Sequence, residues 1–498
     1  MADVHAGDAP QPPTRQSTRN TTQPTPKPDP WLPIVLSLDG GGVRGLSSLY
    51  FIQRLMQEIQ VIENKGNERT SNAGTHRGND LPQPNATGDQ ALPLPGNYFD
   101  FIIGTSTGGL IATMLGLLRM DVNECIKQYF IISNNVFRPH NPLPFIRNYS
   151  AKKLEDAICN VMKEHSIGSE YFRQYDHMEK DRSYRDQDPR INKTCKVAIT
   201  SVRRGGAIGD ETAADVPYLF RTYDHKTRYV TYPGGAAAPD WLEYNPKVLE
   251  KSQLRIHEAC RATSAAPGFF PVKYIKGRAF MDGGVMANNP SSKAYDEASL
   301  MAREPDAAHA AFPNPLALVS IGAGGVKDNM SFTLGGLVRT IRNKLTDTEK
   351  DHENTRRLCQ RSNTHYYRFN VREDKHSEVR GLQTGLDECK RKRIQSRRPW
   401  VERKERPIGP IEESADEGPK RGGYRPTKYE YTTFNKLRDR TQDYFKTRYD
   451  LSSELPTTVE GMIRECAKML VEYSEDRKIQ DRPRWDSFRE HPFRDRNV

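Results

Sequence analysis

No apolar run in this chain approaches the ~20 residues that a bilayer-spanning helix requires. The longest, Leu110 to Leu118, is interrupted by Thr113 and Gly116, which argues against a membrane-spanning protein. The opening stretch, Met1 to Asp8, has neither a basic nor an apolar segment. The expected location is therefore cytoplasmic, without a signal peptide. Cysteine is sparse: seven residues, at 125, 159, 195, 260, 359, 389 and 466, with no Cys-x-x-Cys and no Cys/His cluster. An odd, scattered set argues against a disulfide framework or a zinc site and fits reduced thiols.

Positive charge is in surplus, but locally. The 498 residues carry a net +11, of which residues 1–350 contribute +4, residues 351–450 contribute +8 and residues 451–498 contribute −1. A uniformly basic protein built to hold nucleic acid is not expected from this distribution. The densest stretch is Lys390-Arg391-Lys392-Arg393, followed by Arg397 and Arg398. Three readings stay open for the 390–398 region: a solvated loop, a peripheral contact with anionic membrane headgroups, and a nuclear-import patch.

The length admits two or three domains, or one large domain with irregular additions. Residues 1–30 are rich in Pro, Thr, Gln and Asp and are expected to form a disordered tail. Trp31 to Leu38 reads as a buried strand, and Leu46 to Ile62 has helical spacing. A Gly/Asn/Pro-rich insertion follows over 64–97. Phe99 to Ile103 is a second apolar strand, running through a Gly-rich turn into a helix that reaches Met120. Residues 196–200, 278–281, 316–321 and 366–371 are further short strands. Strands separated by helical stretches predict an α/β fold: a mostly parallel central sheet with helices on both faces, in three α/β/α layers. The main domain is expected over 31–390, a basic irregular insertion over 391–428, C-terminal helices over 429–478 and a polar tail over 479–498.

Three motifs carry chemistry. Asp39-Gly-Gly-Gly-Val-Arg-Gly45 joins a strand to a helix. Glycines there let backbone amides approach an anion at a helix N-terminus. Gly40, Gly42 and Gly45 also satisfy the dinucleotide spacing G-x-G-x-x-G, but the second strand and acid that this reading needs ~20 residues on are missing. Gly104-Thr-Ser106-Thr-Gly108 lies between an apolar strand and an apolar helix. This is the setting of a nucleophile elbow; the competing reading is a serine that only caps the helix. A serine nucleophile needs a base. His257, His309, His352, His365 and His376 follow the elbow, yet none sits in a Gly-rich turn after a strand. Asp282-Gly-Gly284 does, after the short strand Arg278 to Met281. A carboxylate of ordinary pKa ~3.9 is a weak base unless desolvated beside the hydroxyl. Asp-Gly-Gly is equally a generic turn, so both readings stand on these residues alone.

Together and in this order, the three motifs resemble the signature of the patatin-like phospholipase family. Ala262-Thr-Ser-Ala-Ala-Pro-Gly-Phe-Phe270 and Ala287-Asn-Asn-Pro290 are similar to its flanking segments. The resemblance covers roughly residues 31–375, and the last helices look like the C-terminal extension of fungal-type members. It implies a lipid acyl hydrolase of phospholipase A type, acting in lipid degradation through an acyl-enzyme. Carried over, Ser106 is the nucleophile and Asp282 its base. Gly40, Gly41 and Gly42 form the oxyanion hole with Arg44 fixing the loop, while Gly45, Gly104, Gly108, Gly283 and Gly284 are motif positions. It implies a glycerophospholipid or other lipid ester as substrate, calcium independence, no cofactor and no metal. A non-catalytic lipid- or protein-binding member of the family is the alternative.

Overall fold

The computed structural model describes residues 29–72, 91–137, 149–165, 195–205, 215–223, 254–301, 313–324, 348–371, 392–393, 412–414, 428–430, 432–448 and 458–489. The N-terminal tail as far as residue 28, the centre of the 64–97 insertion and most of the 390–398 stretch lie outside these residues.

The main sheet contains β1 (Ile34–Leu38), β2 (Phe101–Thr105), β3 (Lys196–Arg203), β4 (Val216–Arg221), β5 (Lys273–Ile275), β6 (Arg278–Asp282), β7 (Ala317–Ile321) and β8 (His365–Phe369). Their order is β5-β6-β3-β2-β1-β7-β8, with β4 also paired to β3. From β3 to β8 the neighbours are parallel. β4 and β6 run antiparallel to β3, and β5 antiparallel to β6. β1, β2 and β7 are buried along their whole length, as a strand is when helices cover both faces.

Those helices are α1 (Gly45–Asn72), α2 (Thr107–Ala112), α3 (Val122–Val136), α4 (Ala151–Glu164), α5 (Ile256–Thr263), α6 (Gly284–Ala287), α7 (Ser291–Met301) and α8 (Glu349–Ser362). Side chains alternate across a strand. Ile34, Leu36 and Leu38 of β1 therefore join one core with α1, α3, α4 and α5, while Val35 joins Ala294, Ala298 and Cys359 of α7 and α8. This is the expected three-layer α/β/α arrangement. Asp121 caps α3 by accepting from the amides of Asn123 and Glu124, and Ser150 caps α4 through the Lys153 amide.

Three regions differ from the sequence reading. α1 runs on to Asn72 instead of giving way to an insertion at 64. Between 391 and 428, expected to be irregular, β9 (Lys392–Arg393) and β10 (Glu412–Ser414) pair antiparallel with β11 (Lys428–Glu430). The polar tail expected from 479 contains a helix. After α9 (Thr432–Phe445) and α10 (Val459–Gln480), α11 (Arg482–Arg489) buries Trp485 and Phe488. Two aromatic residues three positions apart share a helix face, an apolar face that the surrounding charges hide from a composition count.

The C-terminal helices are built into the core. Phe445 meets Phe51 of α1 edge-on at 5.2 Å, and Phe434 packs on Phe130 of α3 at 4.6 Å. Arg477 donates to Asp100 Oδ2 (2.7 Å) and to the Pro30 carbonyl (2.6 Å), pinning α10 to the ends of β1 and β2.

Candidate active site

The two Gly-rich turns emerge side by side because β1 and β2 are parallel neighbours, which brings their C-terminal ends to the same edge of the sheet. Ser106 is the single residue between β2 and α2, at φ 53° and ψ −122°. A non-glycine residue at positive φ is strained, and such strain concentrates at functional turns. The residues two positions to either side of it must be glycine for steric reasons. A Cβ on Gly104 would lie 2.1 Å from the Gly108 carbonyl oxygen, and one on Gly108 would lie 2.4 Å from the Leu38 oxygen.

Strand register delivers the partner. Thr105 of β2 is level with Thr200 of β3, and β3 continues three residues beyond. β6 pairs antiparallel with that overhang and runs back toward the elbow, setting Asp282 opposite Ser201. Ser106 Oγ donates to Asp282 Oδ2 at 2.6 Å. The Gly284 amide donates to Asp282 Oδ1 at 2.7 Å, which fixes the carboxylate plane. Gly283 is held so close to β3 that a Cβ there would meet Thr200 Oγ1 at 2.2 Å. Asp282 is fully buried, and burial pushes its pKa up to about 7 despite the hydrogen bonds from Ser106 and Gly284 and the charge of Arg261. Desolvation of the charged form outweighs its partners here.

The Asp39–Gly45 loop faces this pair. The Gly40 amide donates to the Asn288 carbonyl (3.2 Å), and the Gly41 amide to Thr107 Oγ1 (3.1 Å). Among the described residues no partner meets the Gly42 amide, at φ 55°. Arg44 is buried and reaches the Gly324 carbonyl (2.6 Å), with its Nε near the Gly41 carbonyl (3.4 Å). Tyr129 of α3 donates to the Gly42 carbonyl, and Gly45 leaves room for that hydroxyl. Asp39 itself points away, into a buried bidentate pair with Arg368 of β8 (2.9 and 2.6 Å).

The three motifs are therefore brought to one place, with the Asp39 side chain turned away from it. Several other residues are there too. Thr263 Oγ1 accepts from the Ser106 amide (2.8 Å) and donates to the Thr200 carbonyl (2.6 Å). Asn288 clasps Gly40 through both its backbone and its side chain. Both lie in the flanking segments noted above, which was their only sequence signal; Thr107 lies within the elbow motif itself, and Tyr129 and Arg368 had no signal. No histidine among the described residues lines the cavity. His257 sits on α5, where burial lowers its pKa, and His352 stacks on Tyr366; His309 and His376 lie outside the described residues.

Ser106, Asp282 and the three glycines open into a cavity of about 670 Å³, measured to its open mouth, whose wall is otherwise mostly apolar: Leu110, Ile132, Val136, Leu154, Phe269 and Phe270 are among its residues. A strained hydroxyl, a buried carboxylate and a loop of backbone amides at the end of an apolar cavity can hold a carbonyl on an aliphatic chain. Among the described residues, no helix is long and apolar enough to cross a membrane.

A family model described as patatin-like phospholipase matches residues 36–295, more than half of the chain. The chain is 27% identical over 329 residues to "Calcium-independent phospholipase A2-gamma" of Homo sapiens, across 64% of this chain and 32% of that protein. It is 24% identical over 321 residues to "Phospholipase A I" of Arabidopsis thaliana (59% and 21%). It is 25% identical over 281 residues to "Patatin-like protein 2" of the same organism (53% and 52%). The chain thus spans about a third of the length of the human relative.

Proposed function

This chain belongs to the patatin-like phospholipase family, and we propose that it is a serine lipid acyl hydrolase of phospholipase A type that works with a Ser106–Asp282 pair. The observation that carries the reading is the 2.6 Å hydrogen bond from Ser106 Oγ to a buried carboxylate in the wall of an apolar cavity. Asp282 takes the hydroxyl proton as Oγ attacks the ester carbonyl. The oxyanion is received by backbone amides of the glycine loop. Gly42 is the amide without a partner among the described residues; Gly41 contributes by releasing Thr107, whereas the Gly40 amide is tied to Asn288. This narrows the three-amide oxyanion hole that the resemblance implies. Arg44 holds the loop in shape without touching the reacting atoms. The alcohol leaves with the proton from Asp282, and water, deprotonated by the same carboxylate, hydrolyses the acyl-enzyme.

In a lipid-ester panel, the wild type is expected to turn over glycerophospholipid esters and Ser106→Ala to lose about ten-thousand-fold or more in rate with its thermal unfolding unchanged. A fluorophosphonate probe should label the wild type at Ser106. Absence of labelling in a folded, purified protein would instead identify a non-catalytic binding member. The basic stretch around Lys390–Arg393 supports peripheral attachment to anionic lipid, at about 1 kcal/mol per nearby cation. Neutralising those four residues should weaken binding to phosphatidylserine vesicles and spare hydrolysis of a soluble ester; unchanged vesicle binding would rule the attachment out.

A further inference from the structure

A second apolar hollow, of about 280 Å³ measured out to its open side, adjoins the first; Leu110, Thr113, Met114, Ile132, Ile158 and Val161 are among its lining residues. Leu110 and Ile132 line both cavities, one from each side. Their adjoining walls are built from the same helices. On α4 one apolar stripe runs from Leu154 in the first cavity to Ile158 and Val161 in the second, at spacings of four and three residues that share a helix face. α3 runs antiparallel to it, since its Phe137 end meets Tyr149 before α4 while Gln128 donates to Glu164 at α4's far end. Its stripe accordingly passes from Val136 in the first cavity to Ile132 in both.

The helix that carries Ser106 changes form at the same point. After Ala112 it widens into a π-helical turn, Thr113–Leu117, in which the Leu118 amide donates to the Thr113 carbonyl at 2.9 Å. Wide turns of this kind are rare and occur mainly where a helix borders a functional site. Here the widened turn supplies Thr113 and Met114 to the second cavity, while the Thr113 hydroxyl is turned back onto the Gly109 carbonyl (2.9 Å), which leaves the cavity wall apolar.

We propose that the second cavity is the binding site for the distal end of the substrate's acyl chain, reached from Ser106 between Leu110 and Ile132, and that it sets the chain-length preference. The inference rests on the acyl-hydrolase reading above. Each methylene moved from water into such a site strengthens binding about fourfold, so denying the cavity to two or more methylenes costs a long-chain ester tenfold or more and a short one nothing.

The test is the ratio of kcat/KM for p-nitrophenyl palmitate to that for p-nitrophenyl butyrate. It is measured for the wild type, for Val161→Phe, which fills the second cavity from α4, and for Ile158→Ala, which enlarges it. Folding is checked by thermal unfolding. The ratio should fall at least about tenfold in Val161→Phe and rise several-fold in Ile158→Ala; if the larger side chain prevents folding, the smaller one still decides. A wild type that cleaves butyrate but not palmitate, or folded variants with the wild-type ratio, overturns the inference and leaves the hydrolase reading standing. A wild type that cleaves neither ester overturns both.

Discussion

At Ser106 a β-strand becomes a helix within one residue, and the surrounding atoms leave no latitude. Gly104→Ala would force a methyl carbon onto the Gly108 carbonyl. It should cost about 1–3 kcal/mol in denaturant unfolding and lower turnover with it, because relieving the clash moves the nucleophile. Asp282 gives a pH signature. Its pKa is raised to about 7 by burial, and the base must be ionised to act. kcat/KM should therefore climb with pH through about 7 and level off above. For stability the sign is opposite. The folded state holds this proton between the unfolded value near 3.9 and about 7, so the stabilisation is complete below about 4 and is lost as pH rises to 7, at about 1.4 kcal/mol per unit. Asp282→Asn, which carries no charge, should be inactive and should gain in melting temperature over the wild type as pH increases from 5 to 8. A gap that does not widen with pH would contradict the buried, ionising carboxylate. Ser106 and Asp282 were legible because three motifs occur together in one order, although Asp-Gly-Gly alone is a generic turn. Thr263 and Tyr129 were not, since a lone hydroxyl acquires its role from what lies opposite it in space.

Among elements, β6 and β8 position the site without containing its nucleophile. β6 is short and antiparallel, and its pairing on the overhanging end of β3 decides where Asp282 stands. β8 is the edge strand beyond β7, yet its Arg368 grips Asp39, the residue that begins the glycine loop, with Ser320 and Thr348 also in reach. Both partners are almost fully buried. Removing one leaves an uncompensated charge, so Arg368→Met should lower stability by about 3–5 kcal/mol, measured by urea denaturation. Pairing it with Asp39→Leu should recover much of that loss, and a double variant no better than the single one would count against the ion pair as the cause. The strands themselves were readable as apolar runs. Their order was not: β1 sits between β2 and β7, and nothing in a five-residue apolar segment names its neighbours.

At the scale of the whole molecule, the C-terminal helices are part of the same folded body as the central sheet. Phe434, Leu437, Ile463 and Leu470 lie in the same apolar cluster as the inner face of β1 and α1. A chain ending at residue 430 would uncover α1 and should lose cooperative thermal unfolding and precipitate, even though the family match ends at 295; a truncated protein that melts cooperatively near the full-length temperature would show the helices to be dispensable. The sequence by itself determined the α/β class and the two Gly-rich turns, because apolar runs and the steric demands of tight turns are written in local residue types, and it singled out Ser106 and Asp282 through the resemblance that the three motifs carry together. Tertiary structure alone decided the 2.6 Å approach of Ser106 to Asp282 across 176 residues, the rise in the carboxylate's pKa, and the adjoining apolar cavities beside the nucleophile. Those depend on strand register, on burial and on which helix faces meet, and each is a relation between distant segments that no local pattern encodes.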